Sequence, residues 1–206
     1  CWFLICYSEF MFSVDKKFLN FVLEVYNPEK EVVQKIANKN FSDRWLILFF
    51  YPADFTFVCP TELFDLKKFS PEFRKLKTDV VVVSTDTVYT HKAWIDTEEL
   101  LKGLKYLMAA DHNSKFSREL GIYDEEKGVA RRAAFIIDPE GILRSVEIVA
   151  DAIGRNAAEI LRKLKALQYV RLHPGNVCPA NWEEGDLTLQ PGIKKAGRVY
   201  KELKKK

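Results

Sequence analysis

Cysteine and histidine are scarce in this sequence, and neither is arranged as a disulfide framework or a metal site requires. The 206 residues include 4 cysteines and 3 histidines. The cysteines are too scattered for the disulfide network of a small secreted protein, and no pair has the C-x-x-C spacing of a zinc site or a dithiol motif. These absences disfavour a zinc site, a disulfide isomerase and a secreted protein. An intracellular, cytoplasmic protein with one or two working thiols is expected.

The sequence also lacks a strong net charge of either sign. Its net charge of +3 is small for this length and gives no reason to expect nucleic-acid binding. The composition, 48% hydrophobic and 30% charged, is typical of a globular protein rather than a disordered one. A chain of this length fits one domain with extensions and can bury a substantial core.

The beginning of the sequence lacks the features of a targeting segment. Residues 1–7 are apolar but far too short to span a bilayer, and they have neither the positive region nor the cleavage site of a secretory signal. We therefore expect no membrane association. Residues 1–17 are expected to be an N-terminal extension, and Cys1 and Cys6 within it are assigned no role.

The most informative segment runs from residue 45 to residue 62. Residues 45–51 form a nearly continuous apolar block rich in aromatics, which indicates a strand buried on both faces. Pro52 ends that strand, because proline cannot donate to a sheet ladder. Pro60 suits the first turn of a helix, so Cys59 is expected beside a helix N-terminus, where free N–H groups and the helix dipole favour a negative sulfur. The segment predicts a reactive thiolate at Cys59.

Strand and helix patterns alternate along the rest of the chain. The predicted strands are residues 79–84, 107–111 and a hairpin over 133–149, and the predicted helices are 63–76, a segment after Thr87, 116–120 and 156–167. Residues 29–40 fit either a short helix or a strand. Pro71 marks either a kink or a new helix start. This alternation predicts an α/β sandwich around a mixed sheet.

The last part of the sequence has few apolar residues and no strong period. We predict that the folded domain covers residues 18–167 and that residues 168–206 form a C-terminal arm. The arm contains Cys178. A cysteine in such a polar segment is not explained as core filler, so it is a second candidate for thiol chemistry.

Two motifs resemble those of the peroxiredoxins. The segment Pro52-x-x-x-Thr56-x-x-Cys59 resembles the peroxidatic motif, and residues 177–182, around Cys178, resemble the resolving-cysteine segment of the typical 2-Cys subgroup, which includes bacterial alkyl hydroperoxide reductases. The motifs occur in the expected order, and the resemblance covers roughly Phe21 to the end. It implies a thioredoxin-like fold with a central mixed sheet flanked by helices.

The resemblance also implies roles for individual residues. The proline ring of Pro52 shields the thiolate from water, and the Thr56 hydroxyl supports the thiolate and holds a peroxide oxygen. A reactive thiolate needs a fixed positive partner; the family pattern selects Arg132 over Arg131, although Ala133 stands where the family often has glycine. Glu62 and Arg155 match residues that form a polar network with this arginine in the family. The alternative interpretation of Glu62 and Arg155 is ordinary surface charge.

The implied reaction is peroxide reduction without a metal or an organic cofactor. Cys59 becomes a sulfenic acid, and Cys178 from the partner subunit of an antiparallel homodimer forms a disulfide with it. Because the two α-carbons must approach within about 7 Å, local unfolding is expected during turnover. Thioredoxin or a flavoprotein reductase would then reduce the disulfide. The dimers are expected to assemble into a decameric ring.

The sequence departs from the members of the family that overoxidise easily. Those members carry a Gly-Gly-Leu-Gly loop and a C-terminal Tyr-Phe pair, whereas residues 101–105 here read Leu-Lys-Gly-Leu-Lys and Tyr200 is followed by Lys201. We therefore expect resistance to sulfinic-acid formation. The alternative function is an oligomeric chaperone or redox-signalling scaffold, for which the basic residues of the last segment would recruit acidic partners.

Overall fold

The computed structural model describes residues 12–203. Cys1 and Cys6, to which the sequence assigns no role, lie outside these residues. The chain divides into two units, the first ending at Ala157 and the second beginning at Ala158. In residues 12–203, no helix has both the length and the apolar character needed to cross a membrane.

The first unit is built on a seven-stranded mixed sheet with the strand order β2-β1-β5-β4-β3-β8-β9. Its strands are β1 (Val22–Asn27), β2 (Val32–Ala37), β3 (Trp45–Phe50), β4 (Thr78–Ser84), β5 (Leu107–Ala110), β8 (Arg132–Ile137) and β9 (Leu143–Val149); β6 (Tyr123–Asp124) and β7 (Val129–Ala130) form a separate two-stranded sheet. β3 runs parallel to β4 and antiparallel to β8. The thioredoxin-like α/β fold is confirmed.

The central strand β3 is buried along its whole length. It lies between β4 and β8, and all six of its side chains are inaccessible to solvent or nearly so. A strand covered on both faces needs apolar residues at every position, not at alternate ones. The unbroken apolar block in the sequence therefore indicates a buried strand.

The described residues contain six α-helices. They are α1 (Cys59–Lys68), α2 (Ser70–Lys75), α3 (Val88–Thr97), α4 (Lys115–Glu119), α5 (Ala157–Leu172) and α6 (Val199–Leu203). The helix predicted after Thr87 is α3, and the Thr87 side chain caps it by accepting a hydrogen bond from the Thr90 N–H. Pro71 is the second residue of α2, so it marks a new helix start and not a kink.

The ambiguous segment 29–40 contains a strand. β2 pairs with β1 through a tight turn in which the Asn27 side chain accepts hydrogen bonds from the backbone N–H groups of Glu29 and Lys30. An asparagine that bonds the backbone two residues ahead fixes such a turn. The pairing with β1, which local sequence does not reveal, decides between strand and helix.

Residues 12–17 of the segment predicted to be an extension make defined contacts. The Asp15 N–H donates to the Leu143 carbonyl at 2.8 Å, and the Leu143 N–H donates to the Lys16 carbonyl at 2.9 Å. The Phe12 ring meets Phe135 edge-on, with ring centroids 5.2 Å apart. The domain limits at 17/18 and 167/168 stay predictions, although α5 extends five residues beyond Leu167.

Candidate active site

Cys59 is the first residue of α1, the helix that follows the central strand. β3 ends at Phe50, residues 51–58 form the connection, and Pro60 occupies the first turn, where its missing N–H leaves no hydrogen bond unmade. The Cys59 side chain is fully buried. The structure therefore places this cysteine at a helix N-terminus, as the sequence predicts.

Arg132 lies against the sulfur of Cys59. It is the first residue of β8, and the pairing of Phe50 with Ala133 brings the start of β8 beside the end of β3. Its Nη1 donates to Cys59 Sγ at 3.3 Å and to Glu62 Oε2 at 2.7 Å. Burial favours the neutral guanidine, but the hydrogen bond and charge of Cys59, with the charge of Glu62, outweigh it and raise the pKa of Arg132. A permanent cation therefore faces the sulfur.

Glu62 lies one turn along α1 from Cys59, and its carboxylate binds two buried arginines. Besides Arg132, its carboxylate accepts hydrogen bonds from the backbone N–H and Nε of Arg155, both at 2.8 Å, and from Arg155 Nη2 at 3.2 Å. The Glu62 residue is only 3% exposed. A buried carboxylate with this many donors holds both guanidinium groups in one orientation. The surface-charge alternative for Glu62 and Arg155 does not describe these buried side chains.

Arg155 is held by packing as well as by hydrogen bonds. Its guanidinium lies 3.5 Å from the centroid of the Phe49 ring, a cation–π contact from the central strand. Burial lowers the pKa of Arg155, and the Glu62 carboxylate opposes that effect. Gly154 permits the close approach, because a Cβ there would lie 3.3 Å from Val58 Cγ1. The loop before α5 is thus packed directly on the start of α1.

The connection between β3 and α1 carries Pro52 and Thr56. Pro52 is buried, and Thr56 Oγ1 donates to the Ala53 carbonyl at 2.9 Å, which leaves its oxygen lone pairs available as acceptors. Tyr51 and His91 both bond the buried Asp54 carboxylate, at 2.7 and 2.8 Å. This connection is therefore anchored from inside the protein, while Cys59 and Thr56 are not joined by a hydrogen bond among the described residues.

The histidines do not supply a catalytic base to Cys59. His91 is buried and bonds Asp54 and the Ala109 carbonyl, as a structural histidine does. In residues 12–203 the hydrogen-bond partner of the Cys59 sulfur is Arg132. The geometry is thus a buried thiol beside a fixed cation, and not the cysteine–histidine pair of a hydrolase.

Comparison with known proteins identifies the family of this chain. The AhpC/TSA family matches residues 14–146, and the C-terminal domain of 1-Cys peroxiredoxin matches residues 166–206. The chain belongs to the AhpC/TSA family of peroxiredoxins. Alkyl hydroperoxide reductase C of Staphylococcus epidermidis is 44% identical over 189 residues, covering 92% of this chain and 100% of the relative. The peroxiredoxin resemblance and the enzyme class are confirmed.

Solved structures of peroxiredoxins share the fold. The Enterococcus faecalis AhpC structure is 42% identical with a TM-score of 0.76, covering 81% of this chain and 98% of that one. The reduced 2-Cys peroxiredoxin of Plasmodium vivax is 30% identical with a TM-score of 0.85, covering 92% of this chain and 98% of that one. The match in both cases spans nearly the whole of the related structure.

Cys178, the second candidate for thiol chemistry in this peroxiredoxin, lies in the second unit. Its Sγ is 3.9 Å from the Ala166 carbonyl of α5, and the adjacent Val177 forms a bridge with Leu189. Trp182 is buried and packs on Tyr169, with ring centroids 5.0 Å apart. Partial burial raises the pKa of Cys178, and the charge of Arg162 opposes that rise.

Sequence reasoning missed the residues that support the arginines and the connection after β3. The Asp151 backbone carbonyl accepts a hydrogen bond from Arg132 at 2.7 Å. The buried Asp54 carboxylate accepts one from the Tyr51 hydroxyl, at the start of the connection after β3. Neither aspartate stands out by local pattern, since each is an ordinary polar residue in a loop. A signal for Asp54 was its position inside the peroxidatic segment, between Pro52 and Thr56.

Proposed function

We propose that this peroxiredoxin reduces hydrogen peroxide and alkyl hydroperoxides with the Cys59 thiolate as nucleophile. The observation that carries the proposal is the 3.3 Å contact between Arg132 Nη1 and Cys59 Sγ, inside a network closed by Glu62. A cation fixed at this distance stabilises a negative sulfur before the reaction. It also stabilises the charge that develops on the peroxide oxygens during the reaction.

The first step transfers one oxygen atom from the peroxide to sulfur. The thiolate attacks the terminal oxygen, the O–O bond breaks, and the other oxygen leaves as alkoxide or hydroxide and takes a proton to become alcohol or water. The terminal oxygen stays on Cys59 with its proton as a sulfenic acid. Arg132 donates to the oxygens, and the Thr56 oxygen accepts from the peroxide O–H, because its own proton is engaged by Ala53. Pro52 covers the sulfur.

Cys178 of a partner subunit completes the cycle in this proposal. Its thiol attacks the Cys59 sulfenic acid, water leaves, and a Cys59–Cys178 disulfide forms. The raised pKa of Cys178 supports the division of roles, because a protonated thiol reacts poorly with peroxide itself. Thioredoxin or a flavoprotein reductase reduces the disulfide by thiol exchange.

The proposed assembly is an antiparallel homodimer that builds a decameric ring. β9 is an edge strand of the sheet, which offers an unpaired backbone edge for a second copy. Phe55, Phe57 and Tyr89 are exposed, Phe57 to 93%, on the loop after β3 and on α3. Aromatic residues are enriched in protein–protein interfaces. They support the ring as a second contact between copies.

The proposal needs neither a metal nor an organic cofactor and places the protein in the cytoplasm. The two cysteines in the described residues, Cys59 and Cys178, are both free thiols. Thiols of this kind stay reduced in the reducing environment of the cytoplasm. The comparisons give no support to the alternative of a chaperone or signalling scaffold.

The decisive experiment for the two-thiol cycle follows the disulfide itself. Reduced protein treated with an equimolar amount of hydrogen peroxide should form a disulfide-linked dimer on a non-reducing gel, and thioredoxin with its reductase should return it to monomer. Peptide mass mapping should locate the cross-link at Cys59 and Cys178. A cross-link through Cys1 or Cys6, or an unreacted protein, would contradict the proposed cycle.

We also expect this peroxiredoxin to resist overoxidation to the sulfinic acid. The loop that follows α3 has Gly103 in a left-handed conformation but lacks the Gly-Gly-Leu-Gly sequence, and Tyr200 in α6 is followed by Lys201 and not by phenylalanine. Without those sequences, α1 should unwind readily and present Cys59 to the second thiol before another peroxide reacts. Turnover with excess peroxide, followed by intact-mass analysis, should show mostly disulfide. Loss of half the activity within a few hundred turnovers would count against this expectation.

A further inference from the structure

Asp151 binds the edge of the Arg132 guanidinium that does not face the sulfur. Its backbone carbonyl accepts from Arg132 Nε at 2.7 Å, and its Oδ1 lies 3.6 Å from Arg132 Nη2. The third nitrogen, Nη1, donates to Cys59 and Glu62. The orientation of the guanidinium is thus determined from two sides, by Glu62 on α1 and by Asp151 in the loop after β9.

Asp151 is itself held by Lys127. Lys127 Nζ donates to Asp151 Oδ2 at 2.9 Å from the turn that joins β6 and β7. That turn is well defined, because Gly128 adopts a left-handed conformation and its N–H donates to the Asp124 carbonyl at 2.8 Å. The hydrogen bond from Lys127 also lowers the pKa of Asp151 against the opposing effect of burial. Asp151 therefore keeps its negative charge at neutral pH.

We propose that Lys127 and Asp151 are positioning residues for Arg132, a role that rests on the proposed peroxidase function of Cys59. The loop after β9 carries Asp151 and, four residues later, Arg155, which binds Glu62. The hydrogen bond from Lys127 connects the Asp151 end of this loop to the β6–β7 hairpin. It keeps the carbonyl and carboxylate of Asp151 in contact with Arg132, so that Arg132 Nη1 stays directed at the Cys59 sulfur.

An ordinary solvated ion pair is the competing interpretation. The Lys127 and Asp151 side chains are 54% and 48% exposed, and exposed pairs contribute at most about 1 kcal/mol to stability. The two interpretations differ in what the pair changes. A solvated pair changes neither the rate of Cys59 oxidation nor its salt dependence, whereas a positioning pair changes both.

The test measures the second-order rate constant of the reduced protein with hydrogen peroxide in rapid-mixing experiments. The variants are Lys127→Met, which removes the charge, and Lys127→Arg, which keeps a donor for Asp151. Lys115→Met is the control, because Lys115 is an exposed residue of α4 whose ion pair joins Glu119, at 3.8 Å. Hydrogen peroxide is neutral, so a change in protein charge alone does not alter its rate of encounter.

Lys127→Met should react about fivefold more slowly at low salt, the factor that corresponds to about 1 kcal/mol. The wild-type rate should fall towards that value in about 1 M salt, because salt weakens an ion pair between solvent-exposed side chains, while the variant should respond little. Lys127→Arg should restore most of the rate, and Lys115→Met should match wild type. Should Lys127→Met fail to fold, Asp151→Asn carries the same expectation.

Equal rates for Lys127→Met and wild type at low salt would overturn the positioning role. So would an equal loss in Lys115→Met, since it would mean that any lost surface charge has this effect. A wild-type protein that does not consume peroxide would instead overturn the proposed function. The two failures are therefore distinguishable in one experiment.

Discussion

Replacement of Cys59 by serine should abolish peroxide turnover, with a loss of more than about a thousandfold in rate. The serine hydroxyl beside Arg132 stays protonated and offers no nucleophile, although the helix start, Glu62 and Arg155 remain in place. A serine hydroxyl does not accept an oxygen atom from peroxide as a thiolate sulfur does. Peroxide consumption coupled to NADPH oxidation through thioredoxin and its reductase measures this loss.

Cys178→Ser should fail at a different step. Cys59 remains able to reduce an equimolar amount of peroxide, so a single rapid turnover should be retained while continuous turnover with thioredoxin is lost. A reagent that traps sulfenic acids, such as dimedone, should label the Cys59 sulfenic acid in this variant and not in wild type. The pair of variants separates the nucleophile from the resolving thiol.

Cys6→Ser is the matched control for both variants. It makes the same chemical change at a cysteine to which the sequence assigns no role, so turnover should equal that of wild type. Full activity of Cys59→Ser would show that another group reduces peroxide and would overturn the assignment of the nucleophile. Full turnover of Cys178→Ser would show instead that Cys59 is reduced directly by an external thiol.

The sequence was sufficient wherever one segment determines the structure by itself. The apolar block before Pro52 indicates a buried strand and Pro60 suits the first turn of a helix, so the position of Cys59 followed from local rules. The hairpin of β8 and β9 was predictable for the same reason, because its turn residues and β-branched strands are adjacent in sequence.

The choice between Arg131 and Arg132 shows where local rules end. Neighbouring residues near the start of a strand point to opposite faces, but sequence does not say which face meets Cys59. The family resemblance selected Arg132. In the structure Arg132 is 4% exposed and binds the sulfur, whereas the Arg131 side chain is 56% exposed and pairs with Asp124 at 3.8 Å.

Contacts between distant segments were beyond prediction from local pattern. β2 is a strand because it pairs with β1, and its own residues allow a helix equally well. Asp54 and His91 are 37 positions apart, and Asp151 meets Arg132 through the loop after β9. Such contacts depend on the register of the sheet and on the paths of loops, which a single sequence does not specify.

Glu62→Gln should cause the largest loss of stability among substitutions at this site. Glu62 is the carboxylate shared by Arg132 and Arg155, whose guanidinium groups are both buried. Removing one partner of a buried ion pair costs about 3–5 kcal/mol, because the remaining charge is left uncompensated. The glutamine amide adds N–H donors where the arginines already supply donors. The free energy of unfolding, from urea titration of the reduced protein, measures this loss.

Asp79→Asn is the matched control for that substitution. Asp79 also accepts two hydrogen bonds from one arginine, Arg44, at 2.5 and 2.9 Å, but both side chains are partly exposed. Solvent screens this pair, so its loss should cost no more than about 1 kcal/mol. The comparison isolates burial as the source of the larger effect at Glu62.

Arg132→Met should show the opposite balance between rate and stability. Methionine fills part of the space of the arginine without its charge, and Glu62 keeps its pair with Arg155, so the protein should stay folded. The rate of Cys59 with peroxide should fall by about a hundredfold or more, since the donor to the reacting oxygens is gone.

If Glu62→Gln proves as stable as Asp79→Asn, the network is not a buried charge cluster. If Arg132→Met keeps the wild-type rate, Arg132 is structural, and another group must stabilise the transition state.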